Sequence, residues 1–255
     1  MIVMKLQTIA PLAVAFVLVA PLSGHAALVG YSQNFETLPP SGAGYGNAGL
    51  SDDGWLVFEN VFNADRTYKT GFGAFPAPNG NVAFSGVAIG QVGPQQGHQQ
   101  LVVFSDYQNG DSHSTGEWVE ALVFQQQTIG AGDVGSTWTL RFDAGRYTPV
   151  PLVAPSTAMA FIKTLDPATG YQTTGMSWVD MSAVDAWGTH SISLTITAGA
   201  GQILQFGFAN TATHYAGSAV AYDNIVFAPV PELSTHALML AGLSLLGFAA
   251  RRRSA

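Results

Sequence analysis

Apolar residues between positions 27 and 228 come in short runs that are broken by Gly, Asn and Pro, and no window of this region carries a long apolar stripe at helical spacing. Short runs rich in Val, Ile, Phe, Trp and Tyr between turn-forming residues are typical of β-strands. The sequence therefore predicts an all-β domain. The ten strands that we expect are Leu28–Glu36, Trp55–Phe62, Val82–Ile89, Gln100–Tyr107, Glu117–Gln126, Thr137–Ala144, Thr157–Thr164, His190–Thr197, Gln202–Ala209 and Ala219–Phe227.

Alternation divides the predicted strands into an apolar face and a polar face. In the segment from Thr137 to Asp143, Trp, Leu and Phe share one side while Thr, Arg and Asp share the other. The segment from Ser191 to Ile196 repeats this pattern. Ten strands with one apolar face each favour two antiparallel sheets packed face to face, as a jelly-roll sandwich, over a closed barrel.

Turn residues between the predicted strands suggest which strands pair. Asn109-Gly110 lies between the fourth and fifth strands, so we expect these two to be partners. Gly199-Ala200-Gly201 lies between the eighth and ninth strands and predicts a second hairpin. Asp166-Pro167-Ala168-Thr169-Gly170 predicts a further connection after the seventh strand.

Charge and cysteine content limit the classes of partner. The chain has no cysteine, so this domain must be stabilised by burial, backbone pairing or a metal rather than by disulfides. Its roughly 200 residues suffice for a sizeable core. Residues 27–228 hold fifteen Asp and Glu against five Lys and Arg, a net charge of 5 − 15 = −10. An acidic surface argues against nucleic acid as a partner and is compatible with neutral glycans and divalent cations.

The pattern of the first 26 residues predicts a secretory signal peptide. A short basic region with Lys5 precedes an apolar run, and small residues up to Ala26 provide the cleavage site. A first transmembrane helix is the alternative, which Pro11 and Pro21 disfavour.

The last 27 residues contain a candidate membrane anchor. Between Leu233 and Ala250 the only ionisable side chain is His236, and at about 1.5 Å per residue this helix would be roughly 27 Å long, close to the ~30 Å of a bilayer core. Arg251, Arg252 and Arg253 follow directly. Because cationic flanks stay on the cytoplasmic side, the rest of the chain should lie outside that membrane.

The order Val230, Pro231 and Glu232, then an apolar helix, then an arginine cluster resembles the PEP-CTERM sorting signal of exported bacterial proteins, although Leu233 stands where that family usually has a second proline. The resemblance implies an exosortase partner, removal of the helix, and passage from the inner membrane to the cell surface or extracellular matrix. An ordinary anchor or a buried helix is the alternative. The expected domains are a signal peptide (1–26), a β-sandwich ectodomain (27–228) and a sorting segment (229–255).

Two segments of the ectodomain resemble jelly-roll carbohydrate-binding modules of the galactose-binding-like type. They are Gln33-Asn34-Phe35-Glu36, followed by Asp52-Asp53-Gly54-Trp55, and the closing segment Tyr222-Asp223-Asn224-Ile225-Val226-Phe227. The resemblance implies a glycan ligand and a structural calcium held by Glu36 and Asp223.

A physical argument also bears on Asp223. Strand alternation groups it with Ala221, Ile225 and Phe227 on the apolar side, where an unpaired carboxylate is costly. Calcium is one solution. Pairing with Arg141 or Arg146, or a position at the solvent-exposed end of the strand, is the alternative.

Trp178 and Trp187 are the candidates for an exposed platform on which a sugar ring stacks, because they flank a less regular stretch. Packing is the alternative for any one aromatic side chain, since aromatics dominate sandwich cores.

Enzyme motifs are weak in this sequence. Glu117 and Glu120 are three apart on a predicted strand and therefore face opposite sides, which removes the facing pair that a glycosidase needs. Loop carboxylates such as Asp106, Asp111 and Glu117 leave a hydrolase open as an alternative. We therefore expect a non-catalytic, exported surface protein that associates with exopolysaccharide and binds glycan, with a secreted hydrolase or a structural adhesin of the biofilm matrix as the alternatives.

Overall fold

The computed structural model describes residues 27–40, 49–77, 85–91, 93–105 and 115–231. The expected signal peptide, Glu232, the expected membrane helix and the arginine cluster lie outside the described residues. Within those ranges, none of the helices has the length and apolarity that a membrane crossing requires.

The described residues form two antiparallel sheets, which confirms the predicted all-β sandwich. The strands are β1 (Tyr31–Gln33), β2 (Leu56–Phe62), β3 (Tyr68–Pro76), β4 (Ser85–Ile89), β5 (Gln99–Val103), β6 (Trp118–Thr128), β7 (Thr137–Arg146), β8 (Thr157–Asp166), β9 (Gln172–Asp180), β10 (Gly188–Thr195), β11 (Ile203–Ala212) and β12 (Val220–Pro229). A four-residue helix, α1 (Gly49–Asp52), precedes β2. In sheet A the strand order is β10-β7-β12-β5-β4, with β1 also pairing with β12, and in sheet B it is β3-β2-β6-β11-β8-β9.

Aromatic side chains fill the space between the sheets. Phe206 and Phe208 of β11 stack on Phe227 and Tyr222 of β12, with ring centroids 4.0 and 3.7 Å apart. Trp55 is fully buried and stacks on Phe208 at 6.4 Å. Such side chains bury large apolar areas, which compensates for the absence of disulfides.

The alternation predicted for β7 is confirmed. Trp138, Leu140 and Phe142 are buried between the sheets, whereas Arg141 is exposed on the outer face of sheet A. Because side chains alternate along a strand, the same register also places Thr139 outside.

The two predicted hairpins, which would pair β5 with β6 and β10 with β11, are wrong. β5 pairs with β4 and β12 in sheet A, while β6 pairs with β2 and β11 in sheet B. Likewise β10 pairs with β7 while β11 pairs with β6 and β8, so the connection through Gly199 crosses from one sheet to the other. A short turn between two strands limits their distance, but it does not require them to share a sheet.

Two edge strands, β3 and β9, were not predicted. Both are largely exposed and carry glycine, and β3 also ends in proline, so neither shows an apolar face in the sequence. The connection from β8 to β9 through Pro167–Thr169 confirms the turn expected after the seventh predicted strand.

Candidate functional site

The outer face of sheet B carries two apolar rows of side chains between two polar rows. The rows arise because the registers of adjacent strands align residues that point to the same side. The apolar rows are Leu56, Phe124, Gly207, Phe161 and Trp178, and Phe58, Leu122, Ala209 and Met159; the polar rows are Gln126, Gln205 and Lys163, and Asn60, Glu120, Thr211 and Thr157.

Gly207 keeps the centre of the apolar rows compact. A Cβ atom at this position would lie 2.1 Å from the carbonyl oxygen of Val123 and 2.7 Å from the Cα of Phe124. Its register partners, Phe124 and Phe161, belong to one buried apolar cluster on the outer face. This cluster is separate from the core between the sheets, so sheet B is apolar at its centre on both sides.

A cavity of about 570 Å³ opens next to this cluster and is lined by residues from β2 and β3 to the β8–β9 turn. Its polar wall is a side-chain amide pair, in which Nε2 of Gln205 donates to Oε1 of Gln126 at 2.8 Å. Gln126 is exposed, whereas Gln205 is only 6% exposed. Nδ2 of Asn60, also in the lining, donates to Oε2 of Glu120 at 2.8 Å.

Lys163 supplies the cationic group of this cavity. Its ammonium nitrogen lies 4.9 Å from the ring centroid of Phe161, within the range of a cation–π contact. Burial lowers the pKa of Lys163, and the negative charge of Glu120 opposes this effect.

Two aromatic side chains stand exposed at the β9 side of sheet B. Trp178 is 59% exposed and lies in β9 opposite Phe161. Tyr171, in the β8–β9 turn, is 61% exposed and lines the cavity. Trp178 is therefore accessible, and it extends the apolar row of a regular strand instead of lying in the irregular stretch that the sequence suggests.

Trp187 occupies a different part of the molecule, beside sheet A. Cβ atoms built on Gly145 and Gly93 would both lie 2.5 Å from its indole, so the ring is packed closely against these two backbones. Its Nε1 donates to the carbonyl oxygen of Gln91 at 3.1 Å. Trp187 thus fixes the loop between β4 and β5 to β7, and it does not form a common platform with Trp178.

Glu36, Asp223 and Asp143 come together on sheet A, where Asp143 and Asp223 belong to the interior strands β7 and β12. Asp223 and Asp143 are direct register partners of β12 and β7, and both are buried. Oε1 of Glu36 accepts from the backbone N–H groups of His98 and Gln99 at 2.7 and 2.9 Å. The hydrogen bond from Gln99 above all holds the pKa of Glu36 below its usual value, against the effect of burial.

The alternation argument for Asp223 is wrong. The β12–β7 register shifts between Asp223 and Val226, and Asn224 has a φ of 48° in the left-handed region. Tyr222 and Phe227 therefore both point into the core, and Asp223 faces outward beside Asp143. It is nevertheless only 1% exposed.

The electrostatics of Asp223 and Asp143 differ. Asp143 accepts from Thr189, Gln96 and Asn224 at 2.6, 2.8 and 2.9 Å. Burial raises the pKa of Asp143, but these bonds together with the charge of Arg141 outweigh it and hold the pKa below its usual value. Among the described residues Asp223 accepts only from the N–H of Asn224, at 2.6 Å. Burial, together with the charges of Glu36 and Asp143, raises its pKa to about 7.

Glu36 and Asp223 are the two carboxylates that the sequence predicts as calcium ligands. They lie close enough to interact electrostatically, and Asp223 is buried with one hydrogen-bond donor among the described residues. Among the described residues no group of three or more His, Asp or Glu side chains has the arrangement of a metal site. Any cation here would therefore need backbone carbonyls or water for its remaining oxygen ligands.

The remaining sequence candidates are spread over the fold. Glu117 forms an ion pair with Lys69, and Glu120 lies in the polar row of sheet B, while Asp106 and Asp111 lie outside the described residues. Val230 follows β12 directly, where its N–H donates to the carbonyl of Thr137 at 2.7 Å.

Sequence reasoning did not single out the residues that line the sheet B cavity. Gln126, Gln205, Lys163 and Tyr171 come from three strands and a turn, and only the register brings them together. The one available signal was the polar run Gln125-Gln126-Gln127 at the end of an otherwise apolar strand.

No protein-family model and no curated protein sequence matches this chain. Solved structures do resemble it. A family 16 carbohydrate-binding module is 10% identical with a TM-score of 0.36, over 57% of this chain and 85% of that one. A Stig cyclase of Fischerella sp. TAU is 16% identical with a TM-score of 0.42, over 80% of this chain and 99% of that one.

An arabinose-bound GH51 α-L-arabinofuranosidase is 12% identical with a TM-score of 0.46 over 78% of this chain, which spans only 26% of the length of that enzyme. At these identities each is a likeness in the β-sandwich and no more.

Proposed function

We propose that this protein is a non-catalytic, exported cell-surface or exopolysaccharide-associated protein whose sandwich binds a neutral glycan on the outer face of sheet B. The observation that carries the proposal is the cavity of about 570 Å³ on that face, where the Gln126–Gln205 amide pair lies beside exposed Tyr171 and an apolar row that ends in Trp178.

The chemistry of this face matches that of a sugar. A pyranose ring presents an apolar C–H face and a rim of hydroxyl groups. Aromatic side chains such as Trp178 and Tyr171 offer a surface for the first, and side-chain amides offer donors and acceptors for the second. The volume also falls within the range of small-molecule sites.

The binding experiment compares three variants by calorimetry against a panel of neutral oligosaccharides. Trp178→Ala and Tyr171→Ala should each weaken binding at least tenfold, since loss of an aromatic contact costs about 2 kcal/mol or more. Ile89→Ala is the control, because Ile89 is 63% exposed on β4 of the other sheet. Equal binding by all variants would refute the proposed face, and release of shortened products would favour the hydrolase alternative.

The sorting part of the proposal rests on the termini. The segment 1–26 supports export, and the order of Val230-Pro231-Glu232, apolar helix and Arg251–Arg253 supports processing by an exosortase. Mass spectrometry of the surface-released protein would locate both ends. Release with residues 240–255 still attached would contradict the sorting proposal.

We also propose a structural calcium ion at Glu36 and Asp223. When bound, the ion would supply positive charge between two carboxylates that repel each other electrostatically. Glu36 belongs to the segment after β1 and holds the N–H groups of His98 and Gln99, so a cation here would tie β1, β5 and β12 together.

A further inference from the structure

The arginines of the ectodomain differ in how their donors are used. The guanidinium of Arg66 stacks on Trp118 at 3.2 Å, and Arg146 pairs with Asp185 at 3.4 Å. Arg141 is exposed on the outer face of sheet A and interacts electrostatically with Asp143, but in the described part of the chain no ion pair within 4 Å and no hydrogen bond engages its guanidinium. Arg141 therefore has five N–H donors available for a ligand.

A cavity of about 570 Å³ lies in front of Arg141, on the opposite sheet from the proposed glycan face. Its lining includes Gln33 and Asn34 at the end of β1, Gln95 of the β4–β5 loop, and Asp143 of β7. Asn224 of the β12 bulge forms the floor.

The floor of this cavity is fixed before any ligand binds. Nδ2 of Asn224 donates to Oδ2 of Asp143 at 2.9 Å and to the carbonyl oxygen of Gln95 at 3.0 Å. Asp143 is only 4% exposed, and Gln96 and Thr189 also donate to it at 2.8 and 2.6 Å. Its oxygens are thus already engaged, so it offers little to a further donor.

The cavity walls offer hydrogen-bond donors in excess. Oε1 of Gln33 accepts from the N–H groups of Asn34 and Phe35 at 3.0 and 2.8 Å, and Oδ1 of Asn34 accepts from the N–H of Glu36 at 3.3 Å. With their carbonyl oxygens bound in this way, Gln33 and Asn34 offer their amide NH₂ groups as donors in the lining that they share with Arg141. A ligand rich in acceptors therefore fits these donors, and a single carboxylate group can pair with Arg141, whereas the negative charge of Asp143 opposes a strongly anionic ligand.

We infer that this cavity is a second ligand site, which binds a hexuronic acid residue of an acidic polysaccharide. The sugar carboxylate pairs with the planar fork of Arg141, whose two parallel N–H groups match carboxylate geometry. The amides of Gln33, Asn34 and Gln95 bind the ring hydroxyl groups. The cavity volume suits one or two sugar residues.

This site is independent of the proposed glycan face on sheet B, because the two cavities lie on different sheets and share no residue. If both hold, one molecule can connect a neutral polymer on sheet B with an acidic polymer on sheet A. Such a protein would cross-link a mixed matrix instead of coating one chain.

The test uses calorimetry in low salt with a hexuronic acid trisaccharide and with its neutral hexose counterpart as probes. The protein should bind the uronate at least tenfold more tightly at this site than the neutral sugar, and Arg141→Gln should lose this preference. Arg141→Lys should retain only part of it, since an ammonium lacks the fork. Arg146→Gln is the matched control, an arginine of the same strand outside this cavity, and should bind the uronate within about twofold of the unaltered protein.

Trp178→Ala separates this site from the proposed glycan face. It should leave uronate binding unchanged while it weakens neutral glycan binding. Uronate binding that is equal in Arg141→Gln and the unaltered protein, or binding that is lost equally in Arg146→Gln, would overturn the inference. Because Arg141 is exposed, its variants should keep the thermal midpoint of the parent, which circular dichroism verifies.

Discussion

Replacement of Asp223 by asparagine tests how the buried carboxylates of sheet A affect stability. In the folded protein the pKa of Asp223 is raised to about 7, mainly by burial, whereas an aspartate in an unfolded chain titrates near 3.9. Because the pKa of Asp223 is higher in the folded state than in the unfolded state, this group makes its full contribution to stability only below about pH 4. The advantage is then lost as the pH rises toward 7, where the folded state must give up its extra proton.

The magnitude follows from the size of the shift. Three pKa units correspond to about 4 kcal/mol at 1.36 kcal/mol per unit, which is an upper bound because local relaxation and water reduce it. Asp223→Asn removes the charge and keeps the shape. We therefore expect the variant to be more stable than the parent at pH 8 in chelator, with a free energy of unfolding about 1–3 kcal/mol higher. At pH 4.5 the two free energies of unfolding should be nearly equal.

Urea denaturation at these two pH values, in buffer with EGTA, measures the difference directly. Asp185→Asn is the control, since Asp185 is exposed and its pairing with Arg146 at 3.4 Å should contribute little. Added calcium at pH 8 should stabilise the parent and not Asp223→Asn. A variant that is less stable than the parent at pH 8 in chelator would refute the reasoning about the buried charge.

Three further substitutions have expected outcomes. Gly207→Ala should destabilise the fold by about 1–3 kcal/mol, because its Cβ would lie 2.1 Å from a carbonyl oxygen. Gly132→Ala is the control and should not destabilise the fold, since no atom lies within 4 Å of its Cβ position. Chemical denaturation measures the difference. Trp187→Ala should cost about 2–4 kcal/mol and raise hydrogen exchange in residues 93–98, since the indole fixes that loop; unchanged exchange would contradict its structural role. Trp178→Ala should leave the unfolding free energy within about 0.5 kcal/mol of the parent, because the side chain is 59% exposed, so any loss of glycan binding is a direct effect.

The sequence predicted the elements that have a clear apolar face. β7 shows the alternation of Trp138, Leu140 and Phe142, and all three are buried as expected. The edge strands β3 and β9 were missed because exposed strands need no apolar alternation. The pairing of strands was mispredicted where a short turn crosses between sheets, since local turn chemistry does not specify which sheet a strand joins.

The candidate sites could be predicted only in part. Glu36 and Asp223 were brought together by their family resemblance, yet the outward direction of Asp223 depends on the bulge at Asn224, which strict alternation cannot anticipate. Gln126 and Gln205 are 79 residues apart, and they meet only through the register of β6 and β11. Sites assembled from neighbouring strands in this way depend on topology, which a single sequence does not fix.

The central proposal is that neutral glycan binds on the outer face of sheet B. Titration of isotopically labelled protein with a neutral oligosaccharide, followed by NMR, tests it most directly. We predict that the indole N–H of Trp178 and the side-chain amides of Gln126 and Gln205 shift first, with saturation at one ligand per chain. Shifts confined to sheet A, or a complete lack of shifts across the panel of neutral sugars, would contradict the account.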